Sequence, residues 1–273
     1  MLRRQMLAGA LVLAAAPAFG QAYPTKPITM IVPFAAGGPT DLLARIIGER
    51  MGKELGQQFI IENVTGAAGT IAMAKLARAA PDGYTIGIGH VGTNVANAVI
   101  YTKLGFDLVA DLEPIARLPA NPMLVVSTNN VPAKTLKELV EYLKANPDKV
   151  SGGTAGIGSG SHLGALAFNK ATGATYQLVP YRGTGPAMQD LISGQIQVMV
   201  DQSSNSLPQV QAGKIRAYAQ TSAKRSPAMA DIPTAAEAGY PNGGLDLERP
   251  VGAQGHAQGH HRQAERRGRH RAR

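Results

Sequence analysis

From residue 28 the chain repeats one arrangement: a short β-rich run, a turn of small residues, then a helical stretch. Ile28 to Val32 ends at Pro33 and gives way to Ala35-Ala36-Gly37-Gly38-Pro39-Thr40; Leu42, Leu43, Ile46, Ile47 and Leu55 then recur at helical spacing from Asp41 to about Leu55. Phe59 to Asn63 reads as a second strand, 66–69 as a second small-residue turn, and an Ala-rich helix runs to about Ala80, where Pro81-Asp82-Gly83 stops it. Tyr84 to Gly89 is a third strand. Parallel neighbours in a sheet need a crossover, usually a helix, so this succession predicts an α/β fold with mainly parallel sheets. Ile115 to Leu118 and Met123 to Ser127 are strand-like, with Pro119 and Pro122 between them. Thr135 to Asn146 is a helix, with Thr135 and Glu138 spaced as a capping box. Glycine-rich 152–161 precedes a helix from about His162 to Thr172, and strands at 176–179, 196–200 and 217–221 alternate with helices at 187–193 and 206–212. This is a second α/β unit.

Charge needs its distribution before it means anything. The formal net charge is +9, which taken alone suits a nucleic-acid or membrane-surface binder. Residues 23–248, however, hold 18 bases and 17 acids. The excess lies in Arg3 and Arg4 and in a basic tail, 249–273, with seven Arg against Glu265. With no Trp and 5% aromatics, stacking platforms for single-stranded nucleic acid are not expected. The absence of Cys excludes disulfide scaffolds, thiolate metal sites and Cys nucleophiles.

Arg3 and Arg4, the apolar run Met6 to Ala16, and Gly20-Gln21-Ala22 read as an export signal over 1–22, cleaved after Ala22. The Arg pair leaves general secretory and twin-arginine export both open.

The turns carry the chemistry. At 34–41 and 152–162 a strand enters a helix through small residues, so backbone N–H groups can converge at a helix N-terminus and hold an anion without a cationic side chain. One such turn in each unit would face the other across a cleft, which suits a small carboxylated molecule. The turn at 66–69 is a weaker third example. Asp41 either orients its loop or meets an ammonium group. His162 either donates to a ligand carboxylate or caps its helix. Arg182 is either a fixed cation or a surface residue, and Asp201 either binds an amine or closes a turn. Gly87-Ile88-Gly89-His90-Val91-Gly92 matches a dinucleotide fingerprint by letter, but Thr93 to Tyr101 is too Asn-rich to supply its helix. Ser159 and Ser161 do not fit a Gly-x-Ser-x-Gly nucleophile motif. Between the signal and the tail only His90 and His162 are available as bases.

The chain resembles the bacterial tripartite tricarboxylate transporter substrate-binding proteins, the Bug family. The resemblance rests on Tyr23-Pro24-x-Lys26-Pro27-Ile28, Val32-Pro33-Phe34-x-x-Gly37-Gly38-x-x-Asp41, Glu62-Asn63-x-x-Gly66-Ala67-x-Gly69-Thr70 and Pro81-Asp82-Gly83-Tyr84-Thr85. It continues through Gly158-Ser159-x-Ser161-His162-Leu163, Val179-Pro180-Tyr181-Arg182-Gly183 and Thr221-Ser222-x-Lys224-Arg225-Ser226-Pro227. It implies a two-domain periplasmic binding protein of the Venus-flytrap kind (type II), with domain 1 over 23–122, also receiving about 222–248, and domain 2 over 123–221. It implies capture of a small carboxylate (a di- or tricarboxylate, an amino acid or an aromatic acid) and delivery to membrane permease subunits. By the same resemblance Phe34, Ala35, Ala36, Gly37, Gly38 and Asp41 hold the ligand, through backbone groups and ordered water. Gly66, Ala67 and Ala68, His90 and Thr93, Ser159, Ser161 and His162, Tyr181, Arg182 and Gly183, and Asp201 complete the cleft. The protein is expected to be periplasmic, monomeric, free of cofactors and metals, without a nucleic-acid partner, and not an enzyme. A secreted α/β hydrolase or ligand-sensing protein is the competing reading; it would need a nucleophile–base pair.

The resemblance breaks at Arg249. Family members continue there with a pattern like Gly-Leu-x-Ala-Pro-x-Gly-Thr-Pro-x-x-Ile-x-x-Lys-Leu-Asn, whereas this chain runs through Gly, Gln, His and Arg without periodicity. Codons for 249–265, read one base later, permit Gly-Leu-Trp-Ala-Pro-Lys-Gly-Thr-Pro-Lys-Asp-Ile-Ile-Ala-Lys-Leu-Asn, which restores that pattern. A shifted frame arising near codons 244–249 is therefore expected, with the basic tail, expected to be disordered, in place of the helices that pack on domain 1.

Overall fold

In the computed structural model, which describes residues 23–240, the first three β-rich runs form one sheet and the later ones a second. The export signal, the tail and the frame-shifted stretch lie outside the described residues. The first unit runs β1 (Ile28–Val32), α1 (Pro39–Leu55), β2 (Phe59–Asn63), α2 (Thr70–Ala77) and β3 (Thr85–Gly87). Its strands lie in the order β2-β1-β3, all parallel, with Ile28 opposite Phe59 and Met30 opposite Ile86. Successive β1 residues face opposite sides, as strand geometry requires. Met30 and Val32 pack with Ala44 of α1 and with Ile88, while Ile31 packs with Ala72 and Met73 of α2. Burial on both faces is why β1 is apolar at every position but Thr29.

The second unit contains β4 (Met123–Thr128), α4 (Leu136–Ala145), β5 (Ser151–Thr154), α5 (Gly160–Thr172) and β6 (Gln177–Pro180). It continues through α6 (Thr184–Ser193), β7 (Val198–Gln202), α7 (Ser203–Gln211) and β8 (Ile215–Gln220). Its five strands lie in the order β6-β5-β7-β4-β8. β5 is parallel to both neighbours, and β4 is antiparallel to β7 and β8. One face packs Met123, Val125 and Val200 on Leu139 and Leu143 of α4 and Phe168 of α5; the other packs Leu124, Val126 and Met199 on Met188 and Leu191 of α6. The Thr135 hydroxyl caps α4 by accepting the Glu138 N–H at 3.2 Å, and the Glu138 carboxylate reaches back to the Lys134 N–H at 2.8 Å.

Three expectations change. Ile115 to Leu118 form no strand: Pro114 and Pro119 flank the stretch, proline cannot donate to a ladder, and Ile115 is 74% exposed. The Asn-rich stretch is helical after all: a π-helical turn, Gly92–Ala96, runs into α3 (Asn97–Ile100). Tertiary contact overrides propensity there, because the fully buried Asn97 side chain donates to the Ala68 carbonyl at 3.0 Å. Thirdly, through Tyr240 the segment expected to return to the first unit stays with the second. Met229 and Ala235 belong to its two core clusters, and the buried Gln220 side chain donates to the Ile232 carbonyl at 2.6 Å.

Candidate functional site

Two helices meet head to head. α1 begins after Gly38 and α6 after Gly183, and neither N-cap has a side chain to satisfy the first-turn N–H groups. Those groups lack an intrahelical partner by geometry and carry the positive end of each helix dipole, roughly half a charge. The two ends are in contact: a Cβ added to Gly185 would lie 3.0 Å from the Gly37 carbonyl carbon and 3.0 Å from the Gly38 nitrogen. Beside them the Ala35 N–H donates to the Arg182 carbonyl at 3.0 Å. Each end carries positive potential, which the Asp41 carboxylate in the first turn of α1 offsets on one side and no acidic residue offsets in the first turn of α6.

Asp41 holds the first turn. It is 4% exposed, and its carboxylate accepts from the Gly37 N–H (3.0 Å), from Arg45 (2.9 and 3.0 Å) and from Asn63 Nδ2 (3.0 Å). Burial by itself would raise its pKa; the hydrogen bonds from Arg45, Gly37 and Asn63 outweigh it and hold the group below the ordinary carboxylate value. Of its two expected roles, the structure displays loop orientation. Asn63 adds a second tie, donating to the Phe34 carbonyl at 2.9 Å.

Several N–H groups of the turn at 152–162 are held within the turn itself. The Ala155 N–H donates to Ser161 Oγ (2.8 Å), Gly156 N–H to Thr154 Oγ1 (3.3 Å), Ser159 N–H to the Gly156 carbonyl (3.0 Å) and His162 N–H to Ser159 Oγ (3.3 Å). Ser159, not His162, caps α5. This turn meets the first unit at a different place, the π-helical segment. A Cβ on Gly92 would lie 2.7 Å from the Gly158 carbonyl oxygen and 3.0 Å from the Gly160 nitrogen. Gly158, at φ +94°, approaches Asn97, where a Cβ would stand 2.5 Å from Oδ1. The 66–69 turn lies alongside: Ala67 and Ala68 have φ of 44° and 49°, a left-handed geometry that costs non-glycine residues energy, and a Cβ on Gly156 would lie 3.6 Å from the Ala68 nitrogen.

His90 stacks on Phe34 with ring centroids 5.2 Å apart and 5° between planes. Its Nδ1 accepts the Gly92 N–H at 2.9 Å, and Thr93 Oγ1 accepts the His90 N–H at 2.9 Å. Burial pushes the His90 pKa down to about 4, so the ring is neutral with its proton on Nε2. The letters of the dinucleotide fingerprint thus fold into a turn filled by its own side chains.

The remaining residues divide between the junction and the second unit's interior. Arg182 is exposed, and its carbonyl accepts the Ala35 N–H of the first unit. The Tyr181 hydroxyl donates to Asp190 Oδ2 at 2.6 Å; burial and that carboxylate push its pKa up to about 12. Asp201 is fully buried at the end of β7. Its Oδ2 accepts from Asn205 Nδ2 (2.7 Å) and Ser206 Oγ (2.9 Å), its Oδ1 has no partner, and burial pushes its pKa up to about 6. Asn205 also donates to the Thr184 carbonyl at 3.4 Å, which links Asp201 to the start of α6. Sequence reasoning missed Thr184 and Gly185. The signal was present: Gly38-Pro39 and Gly185-Pro186 both stand at the mouth of an apolar helical run. Among the described residues no group of three or more His, Asp or Glu is placed to hold a metal ion, and no helix is long and apolar enough to cross a membrane.

Residues 43–252 match the family described as tripartite tricarboxylate transporter family receptor. A UPF0065 protein of Agrobacterium vitis is 40% identical over 217 residues, 80% of this chain and 62% of that protein, so the match spans less than two thirds of that relative. BugT of Bordetella pertussis is 33% identical over 83% of this chain and 70% of its own. Among solved structures, periplasmic binding protein BugD is 43% identical with a TM-score of 0.78 (81% of this chain, 74% of that one). MatC of Rhodopseudomonas palustris with bound malate is 41% identical with a TM-score of 0.76 (80% and 74%), and a second R. palustris protein with adipate is 37% identical with a TM-score of 0.78 (81% and 74%). The chain belongs to the tripartite tricarboxylate transporter receptor family, together with the Bug proteins.

Proposed function

We propose that this protein is a periplasmic solute-binding protein that captures a small carboxylate between its two units and presents it to membrane permease subunits, without catalysing a reaction. The observation that carries this reading is the head-to-head approach of α1 and α6, both uncapped by side chains, at 37–38 and 183–185. Two helix ends supply converging N–H donors and positive potential in a body whose net charge is close to zero, so attraction is local to the junction. Malate in MatC and adipate in the second R. palustris structure support a carboxylate as the ligand class. Domain 1 over 23–122 and domain 2 over 123–221 form the two walls. Phe34 to Gly38 and Gly183 line the junction itself, with Gly66 to Ala68, His90, Thr93, Ser159, Ser161 and His162 beside it; Asp41, Tyr181 and Asp201 support the walls from behind. A thermal-shift screen of mono-, di- and tricarboxylates tests the reading. Saturable stabilisation by at least one of them, growing with concentration, is expected. No stabilisation by any carboxylate would overturn it.

A further inference from the structure

The second place where the units meet carries its own chemistry. Each side presents a glycine whose N–H is held by the Nδ1 of a nearby histidine: Gly92 by His90 at 2.9 Å, and Gly158 by His162 at a longer 3.4 Å. The two glycines touch, and a single added methyl at Gly92 would drive into the Gly158 carbonyl. We infer that His90 and His162 are positioning residues: while neutral they lock the two glycine turns through which the units meet, and protonation releases the units from each other.

The physical reason is the change in hydrogen-bonding character. A neutral imidazole with its proton on Nε2 accepts at Nδ1; an imidazolium carries protons on both nitrogens and accepts nothing. Protonating His90 sets an N–H against the Gly92 N–H and a positive charge beside Gly160, the first residue of α5. Protonating His162 does the same to Gly158. Around His90 stand Phe34, Thr93 and Asn94 from the first unit and Gly158 and Gly160 from the second, with Met123 over Gly160. Around His162 stand Gly158, Ser159 and Ser161. None of these side chains is charged. Burial is the cause of the lowered pKa in both histidines, and no carboxylate offsets it. In the joined state burial holds the His90 pKa down at about 4, below its ordinary value of 6.5. An opening that hydrates the ring raises its pKa, so acidification within that range shifts the balance toward the open state. In function, a joined pair retains its carboxylate at neutral pH and loses it in acid. That consequence rests on the proposed function, whereas the latch itself does not.

The chain contains no Cys, so a dye pair is introduced cleanly at two exposed positions, Glu54→Cys on α1 and Lys137→Cys on α4. Energy transfer in the full chain is followed from pH 7.5 to 4 without any carboxylate, with far-UV circular dichroism recorded alongside. Transfer is expected to hold down to about pH 6.5, to fall progressively toward pH 4 while the dichroism stays constant, and to recover on neutralisation. Adding His90→Asn and His162→Asn, whose amide oxygen accepts a hydrogen bond but does not titrate, is expected to abolish the dependence. Constant transfer in the parent, a loss that tracks loss of helical signal, or an unchanged profile in the double variant each overturns the inference. The parent profile is a test by itself where a variant fails to fold. Because no carboxylate is present, this failure and a negative ligand screen are separate outcomes.

Discussion

The pKa values of the buried Asp201 and the half-buried His90 move in opposite directions for one reason, removal from water, which favours the neutral form of each. Asp201 keeps in the folded state a proton that the unfolded chain gives up between 3.8 and about 6, so its contribution to stability is lost as pH rises through that window. His90 refuses in the folded state a proton that the unfolded chain takes up below 6.5, so its contribution is lost as pH falls toward about 4. Between pH 5 and 6 the two slopes oppose each other. Asp201→Asn removes one of them. From pH 6 to pH 5 the variant is expected to lose about 1 kcal/mol more stability than the parent, read from urea unfolding at each pH. Parallel profiles would contradict the burial assigned to Asp201. Sequence alone left Asp41, His162 and Asp201 each with two roles. Their surroundings depend on partners distant in sequence, such as Asn63 at 3.0 Å from Asp41, and on local capping geometry such as Ser159 accepting the His162 N–H.

At the scale of elements, most of the strand and helix order is legible because β1, β4 and β7 are buried on both faces and α4 carries a periodic apolar stripe with its own cap. The π-helical segment is not legible, since its stability comes from Asn97 reaching Ala68 across 29 positions. The junction of α1 and α6 is half legible. The α1 turn stood out by its run of small residues, whereas the α6 turn was obscured by Arg182, whose side chain is exposed while its carbonyl makes the tie. Gly185→Ala tests the junction. Its methyl group would stand 3.0 Å from two backbone atoms of 37–38, so the helix ends cannot close to their native separation. Overpacking of about 1–3 kcal/mol predicts a tenfold to hundredfold loss of carboxylate affinity by calorimetric titration, with each unit still folded. Unchanged affinity would place the ligand elsewhere.

Over the whole molecule the two units are unequal: the first sheet has three strands and the second five. On the α2 side of the first sheet Ile60 and Ile71 are half exposed, and a groove there is lined by Thr29, Ile31, Ala74 and Thr85. Apolar surface left uncovered costs stability, about 25 cal/mol for each Å². A chain rebuilt with 249–265 in the shifted frame is expected to cover part of this face and to melt several degrees higher, since about 1 kcal/mol moves the midpoint of a protein this size by 2–4 °C. An equal or lower midpoint would contradict the shifted-frame reading. The most direct test of the central claim is a crystal structure of the protein with a saturating dicarboxylate, malate or adipate. A carboxylate is expected within about 3 Å of backbone N–H groups at 36–38 and 183–185, between the ends of α1 and α6; a carboxylate bound away from both helix ends would contradict a junction site.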